Sequence, residues 1–555
     1  MMMTTYKYTI PSLFQESINK FPENTSLVFA GENNYTYRQM GEDVGRLSRL
    51  LTDLGVSKGD KVAILSSNMP NWGIAFFALS MAGATAVPIL PDFHENEIRS
   101  ILMHSEAKIM FISESLYKSI GQETAVLTEK LILVDNFAII PAGTGAEELN
   151  KLQCSLPQKP DGFQPVDVDE EDLASIIYTS GTTGSSKGVM LTHKNLAWTV
   201  EQCYKLQDIN ENDRFLSVLP LSHTFENTIS FLLPMRFGAS VHYLRKPPVA
   251  SVLLPALQKV KPTIMLVVPL IIEKVFRGKI LPKFQKNGLI RTLYSIPPVR
   301  KVLHRIAGKK LYQTFGGQLR FFGIGGAKLD PAVERFLMEG KFPYAIGYGL
   351  TETSPLLAGA VGKNVRLGST GPAIEGVQLR LADVDKATGE GEVQVKGPNV
   401  MKGYFKAPEL TSEVFTEDGW FRTGDRGTFD KDNFLSIRGR IKTMIVGSSG
   451  ENIYPEEIES VINKMRFVLE SLVVQKKGKL VAMIHLNMEE IEHNFKQFKK
   501  EAHDFVYGKV EDILKDIHKK VNAELNKFSR VQEVTLQQTP FEKTPTKKIK
   551  RFLYL

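Results

Sequence analysis

Short apolar runs recur along this chain with room for a helix between them, and that alternation restricts the fold more than any other feature. Lys61–Ser66 (KVAILS) reads as a buried strand, Asn71–Ala82 as a helix and Ala84–Ile89 as a strand. Glu95–Ser105 follows as a helix and Lys108–Ile112 as a strand. Upstream, Phe14–Lys20 and Tyr37–Leu54 carry helical periodicity. Strands alternating with helices build parallel sheets covered by those helices. The pattern returns at Ala174–Thr179, Asp213–Leu219, Ser240–Tyr243, Thr263–Val268 and Leu319–Ile324.

After Gly371 the texture changes. Gly391–Val395 and Phe434–Arg438 are short strands with Gly-rich turns, as in a small barrel or antiparallel sheet. A third texture begins near Arg440, with strands at Thr443–Val446 and Leu480–Leu486 and then a Lys/Glu-rich helical segment. There Val510, Ile513, Leu514, Ile517, Val521 and Leu525 recur at helical spacing, a stripe for a core or for a partner helix. The expected fold is α/β. A large N-terminal domain (1–439) holds parallel α/β sheets plus a small β-barrel-like subdomain, and a small α+β domain (440–555) follows.

The 555 residues suit three or four units of about 150 residues, or two larger ones. A net charge of +8 suits anionic ligands such as nucleotides or coenzyme A, or an anionic membrane surface. No basic-aromatic motif points to nucleic acid. Two cysteines, Cys154 and Cys203, leave no disulfide framework or cysteine-rich metal site. The first residues lack the apolar core of a signal peptide. The apolar stretches Ala75–Leu90 and Ile264–Ile272 are interrupted or fall short of the roughly 20 residues that span a bilayer. The expectation is a cytoplasmic protein, with peripheral membrane contact left open.

The strongest local signal is an apolar run, Ile176 to Tyr178, that passes into Thr179, Ser180, Gly181, Thr182, Thr183, Gly184, Ser185, Ser186, Lys187 and Gly188. Glycines let backbone N–H groups point into a concavity, hydroxyls add donors and metal ligands, and a lysine adds a mobile cation. That set suits a polyphosphate. Its spacing is not that of a Walker A loop.

Further motifs follow in order: Leu219–Glu226 (LPLSHTFE), Gly325–Ala327, Gly347–Thr353 (GYGLTET), Gly368–Pro372, Thr423–Asp425, Gly439–Lys442 and Thr544–Lys548 (TPTKK). With the loop, this series resembles the adenylate-forming (AMP-binding) superfamily of acyl-CoA synthetases, peptide-synthetase adenylation domains and firefly luciferase. Within it, the chain is similar to bacterial long-chain fatty-acid–CoA ligases.

The resemblance implies a ligase forming carbon–sulfur bonds, with ATP, Mg²⁺ and coenzyme A as cofactor and co-substrates. A carboxylate attacks the α-phosphate of ATP, and the coenzyme A thiol then displaces AMP. Thr179 and Glu352 would ligate Mg²⁺. Ser180, Gly181, Thr182, Thr183, Gly184 and Lys187 would hold phosphates. Tyr348, between Gly347 and Gly349, would stack on adenine, with Gly326 and Ala327 lining the other side and Thr351 on the α-phosphate. Asp425 would accept the ribose hydroxyls, with Arg440 and Ile437 completing the nucleotide site. Lys548 would neutralise the acyl-phosphate during adenylation, Lys547 standing where glycine is common. Lys442 matches the hinge of a mobile C-terminal domain, and Gly450 the loop that faces coenzyme A. His223 matches a gate beside the acyl site or is a core histidine.

Between Lys274 and Lys310 there are eleven Lys or Arg and no Asp or Glu, interleaved with Phe276, Leu281, Phe284, Leu289, Ile290 and Leu293. This resembles the extended basic segment of long-chain enzymes. It suits anionic lipid, the coenzyme A 3′-phosphate or plain solvation. An acyl carrier protein as acceptor, and a non-catalytic lipid- or nucleotide-binding protein, are the rival readings.

Overall fold

The computed structural model describes residues 7–159, 164–180, 186–284, 288–446, 452–476, 478–495, 503–544 and 549–555. Contacts divide the chain into two compact units. Met1–Arg380, Gln394–Thr423 and Phe429–Ser436 form the larger, and Leu381–Val393, Gly424–Thr428 and Ile437–Leu555 the smaller.

Two sheets organise the larger unit. One has eight strands, in the order Gly403–Tyr404, Ser186–Thr192, Leu173–Ser180, Thr85–Ile89, Lys61–Leu65, Ile109–Ile112, Lys130–Leu133 and Ile139–Ile140. Its middle pairings are parallel, while both ends are antiparallel. The other has seven strands, Leu27–Phe29, Ser240–Tyr243, Arg214–Leu216, Ile264–Val267, Phe321–Ile324, Tyr344–Gly349 and Leu356–Ala360, antiparallel only at the last pair. Strands buried on both faces need the continuous apolar runs that the sequence shows.

The helix Pro70–Met81 is apolar all round and buries every residue from Trp72 to Met81. Trp72 and Phe76 pack against Phe231 with ring centroids 5.9 and 5.8 Å away. The helix Tyr37–Asp53 instead buries one stripe, Met40, Val44, Leu47 and Leu51, and starts at a capping box of Thr36 and Gln39. Each such side chain contributes about 1.5–3 kcal/mol on full burial.

No sequence period marks the wide-turn π-helix at Glu226–Leu232, just before Pro234, a residue with no N–H to give. It buries Glu226, Asn227, Thr228 and Ser230 together with Phe231. The short strands after Gly371 form a four-stranded sheet, in the order Gln378–Ala382, Gly391–Lys396, Phe421–Phe429 and Leu435–Arg440.

In the smaller unit, Val468–Lys476, Lys479–Leu486 and Glu533–Leu536 form a sheet. Ile458 and Ile462 of the helix Pro455–Ile462 share its core with Val510, Ile517 and Val521 of the helix His503–Glu524. The apolar stripe thus faces this unit's own core. Among the described residues, no helix is long and apolar enough to cross a membrane.

Among its described residues the basic segment is helical and includes the helices Gly288–Ser295 and Pro297–Thr314. Its charges are not uniform. Arg300 pairs with Glu339 at 2.9 Å and Arg277 with Asp330 at 2.8 Å. Lys301, Arg305 and Lys309 are exposed, one helical turn apart.

Candidate nucleotide and acyl site

The strands Leu173–Ser180 and Ser186–Thr192 pair antiparallel, with Thr179 opposite Lys187. A hydroxyl and an ammonium therefore stand at the two ends of the glycine-rich loop. Gly181, Thr182, Thr183 and Gly184 lie outside the described residues, as does the side chain of Ser180. The Lys187 ammonium sits 5.0 Å from the centroid of the Tyr404 ring, a cation–π distance.

The GYGLTET motif spans the end of the strand Tyr344–Gly349 and a tight turn at Thr351–Thr353, before the strand Leu356–Ala360. A Cβ at Gly349 would lie 1.7 Å from the Pro355 carbonyl oxygen, so only glycine fits. That oxygen accepts from the Leu350 N–H at 3.1 Å and from the Thr353 hydroxyl at 2.7 Å. The fully buried Asn399 donates to the Thr353 and Leu356 carbonyls at 3.0 and 2.8 Å. Thr351 is buried, and Gly347 and Tyr348 are half-buried, with Tyr348 packed on the main core.

Glu352 is half-buried and held at both ends. Its carbonyl accepts from the Met401 N–H at 2.8 Å, and its Oε1 accepts from the Tyr404 hydroxyl at 2.9 Å. Burial and the adjacent Glu352 carboxylate push the Tyr404 phenol far up, so it stays a donor. Among the described residues, no three His, Cys, Asp or Glu side chains are grouped to hold a metal. A single oriented carboxylate fits Mg²⁺, which binds through one or two carboxylates and takes further oxygens from phosphate and water.

Gly326 and Ala327 are exposed just beyond the strand Phe321–Ile324, with Gly326 at φ +83°. An apolar cavity lies in the same unit, walled by Phe225, Ile229, Leu266, Ile324, Gly347 and Ala360. His223 is half-buried two residues before Phe225, and its Nδ1 accepts the Phe225 N–H at 3.2 Å. Behind this segment, Glu226 is fully buried and accepts from the Ser217 hydroxyl at 2.6 Å. Burial raises its carboxyl to about 7, against the opposing pull of hydrogen bonds from Ser217, Ser230 and the backbone.

In the smaller unit Asp425 is buried, and its Oδ1 lies 3.4 Å from Nε of the exposed Arg440. Ile437 is half-buried in the strand Leu435–Arg440, and Lys442 is exposed in the turn Ile441–Thr443. Gly450, Lys547 and Lys548 lie outside the described residues.

Sequence reasoning missed Tyr404 and Asn399, and it left Glu226, the last residue of the LPLSHTFE motif, without a role. The first two lie in a stretch whose local pattern is only a short strand and turn. Their partners are 43 to 52 positions away.

The profile of the AMP-binding enzyme family matches residues 14–405, well over half of the chain. The chain belongs to this family. Curated relatives of this AMP-binding enzyme include a long-chain-fatty-acid–CoA ligase of Mycobacterium bovis, 30% identical over 90% of this chain and 87% of its own. A chloroplastic long-chain-fatty-acid–[acyl-carrier-protein] ligase of Arabidopsis thaliana is 28% identical over 98% of this chain and 84% of its own. The fold is similar to that of ATP-bound MatB from Rhodopseudomonas palustris, with a TM-score of 0.75, 23% identity and 98% of each chain covered. It is also similar to o-succinylbenzoate CoA synthetase of Bacillus subtilis in complex with its acyl-adenylate intermediate, with a TM-score of 0.74, 22% identity and 97% of each chain covered.

Proposed function

We propose that this AMP-binding enzyme is an ATP-dependent long-chain fatty acid–CoA ligase. One observation carries the reading: the apolar cavity has Phe225 and Gly347 in its wall, and Gly347 directly precedes Tyr348 in the motif that contains Glu352. An apolar tail housed there puts its carboxylate near the nucleotide motif. The Mycobacterium bovis and Arabidopsis thaliana relatives, both named for long-chain fatty acids, support the same substrate class.

In the first half-reaction a carboxylate oxygen attacks the α-phosphorus and the bond to pyrophosphate breaks. In the second, the thiolate of coenzyme A attacks the acyl carbonyl and AMP leaves. Mg²⁺ held by Glu352 and Thr179 would neutralise phosphate charge. Lys187 and the loop from Ser180 to Gly184 bind phosphate. Tyr348 stacks on adenine between Gly347 and Gly349, Gly326 and Ala327 flank it, and Thr351 meets the α-phosphate. Asp425 binds ribose with Arg440 and Ile437. Lys548 would supply a cation to the two reacting anions and offset their repulsion. The proposed division is a catalytic domain at 1–439 and a mobile lid at 440–555, for which Lys442 would be the hinge and Gly450 would serve coenzyme A. His223 gates the acyl end.

We also place the enzyme in the cytoplasm with peripheral contact to anionic membrane. On the helix Pro297–Thr314, Val302 (54% exposed) and Ile306 (65% exposed) adjoin the basic row of Lys301, Arg305 and Lys309. Such a surface suits an anionic bilayer.

The carrier-protein acceptor is the second reading, favoured by the chloroplastic relative. Purified protein with ATP, Mg²⁺ and palmitate, given either coenzyme A or acyl carrier protein, tests the assignment. Palmitoyl-CoA is the expected product. Acylated carrier protein alone would shift the assignment to the second reading, and no acylation of either would remove both.

A further inference from the structure

We infer that Tyr404 is a positioning residue that aims the Glu352 carboxylate at the metal–nucleotide complex while its ring seats Lys187. This rests on the reading of Glu352 as the Mg²⁺ ligand.

A strap from Asn399 to Phe405 is stitched to two parts of the site. On one side Lys402 N–H donates to the Met190 carbonyl at 3.0 Å, and Phe405 N–H donates to the Gly188 carbonyl at 2.8 Å. These bonds fix the strap to the strand that carries Lys187. On the other side Asn399 and Met401 grip the backbone of the turn around Glu352. Tyr404 stands where the two meet. Its hydroxyl donates to Glu352 Oε1 at 2.9 Å, and Lys187 lies 5.0 Å from its ring centroid.

The Tyr404 N–H donates to the Thr411 hydroxyl at 2.9 Å, and the side chain is buried, so the ring has little freedom. A carboxylate with one oxygen occupied by a fixed donor keeps the second free and in a set direction. Ordering a ligand before the metal–nucleotide arrives lowers the cost of binding it. Tyr404 touches no reacting atom in this scheme and acts through its two neighbours.

Two variants separate the two duties. Tyr404→Phe removes the hydroxyl and keeps the ring under Lys187. Tyr404→Leu removes both. The probe is Mn²⁺ with a non-hydrolysable ATP analogue on the full chain, read by the electron paramagnetic resonance of bound Mn²⁺, with thermal unfolding followed in parallel. Losing a hydrogen bond to a charged group should weaken Mn²⁺ binding roughly tenfold in Tyr404→Phe. Tyr404→Leu should in addition weaken binding of the metal-free analogue severalfold.

Glu352→Gln, alone and combined with Tyr404→Phe, completes a cycle that holds even where Tyr404→Leu fails to fold. The Glu352→Gln change should nearly abolish Mn²⁺ binding, and adding Tyr404→Phe should cost nothing more. Mn²⁺ binding unchanged in Tyr404→Phe, or an equal loss in both backgrounds, would overturn the inference. Glu352→Gln that leaves Mn²⁺ binding intact would instead remove the metal-ligand reading on which it stands.

Discussion

The GYGLTET turn and the Lys274–Lys310 segment are both motifs of the larger unit, yet they are built on opposite terms. In the turn, backbone groups are tied to one another and to Asn399 and Met401, and Gly349 leaves no space even for a methyl group. In the basic segment, side chains project from helices, and among the described residues Arg277 and Arg300 have acidic partners while Lys301, Arg305 and Lys309 are exposed. Geometry therefore decides what a residue does in the first region, and charge with exposure decides it in the second.

The largest expected effect comes from breaking the turn. Gly349→Ala sets a methyl carbon 1.7 Å from a backbone oxygen, so the strand ends must move apart. A loss of about 3 kcal/mol or more in urea unfolding, together with loss of nucleotide binding, is expected. An unfolding midpoint equal to wild type would show that the turn has slack.

A smaller effect, dependent on pH, belongs to Glu226. Its carboxyl titrates at about 7 when folded and near 4.5 when unfolded. Between those values the folded state holds a proton that the unfolded state lacks, so stability falls as pH rises from about 4.5 to 7. The limiting slope is about 1.4 kcal/mol per pH unit. Subtracting the stability curve of Glu226→Gln from that of wild type isolates this slope. A flat difference would mean that Glu226 is ionised in the fold.

The smallest effects lie within the basic segment and divide it. Arg300, 21% exposed and paired with Glu339, should behave as an interior residue, and Arg300→Ala should cost about 1 kcal/mol. Lys301→Ala should stay within about 0.5 kcal/mol. Charge reversal of Lys301, Arg305 and Lys309 should release the protein from anionic liposomes at low salt without shifting its unfolding temperature. Undiminished liposome binding would mark that face as merely solvated. Arg300, unpaired from Glu339, would only confuse such a test.

Most of the architecture was legible because it depends on periods that a sequence displays. Glu95–Ser105 is helical as expected, and Lys61–Leu65 and Thr85–Ile89 are adjacent parallel strands. Element ends moved by up to four residues, as for the helix Ile10–Lys20 expected from Phe14 and for Arg214–Leu216 inside the expected Asp213–Leu219, because end residues lack a full set of partners. The π-helix at Glu226–Leu232 was not legible, since its buried polar residues follow no apolar period.

At the site, the glycine-rich loop with its Thr179 and Lys187 is visible in the sequence, but the antiparallel pairing that sets those two residues opposite each other is not. Nor are the roles of Tyr404 and Asn399. Their contacts to Glu352 and Thr353 span 52 and 46 positions, in a strap that pairs with Ser186–Thr192. Arg300 shows the converse: a run of basic residues gave no hint that one of them had an acidic partner 39 positions on.

The most direct test of adenylation is exchange of labelled pyrophosphate into ATP by the purified enzyme with Mg²⁺, with and without palmitate, in the absence of coenzyme A. The account predicts exchange that requires palmitate, proceeds without coenzyme A and is lost in Glu352→Gln. Exchange independent of the fatty acid, or release of ADP and phosphate in its place, would contradict it.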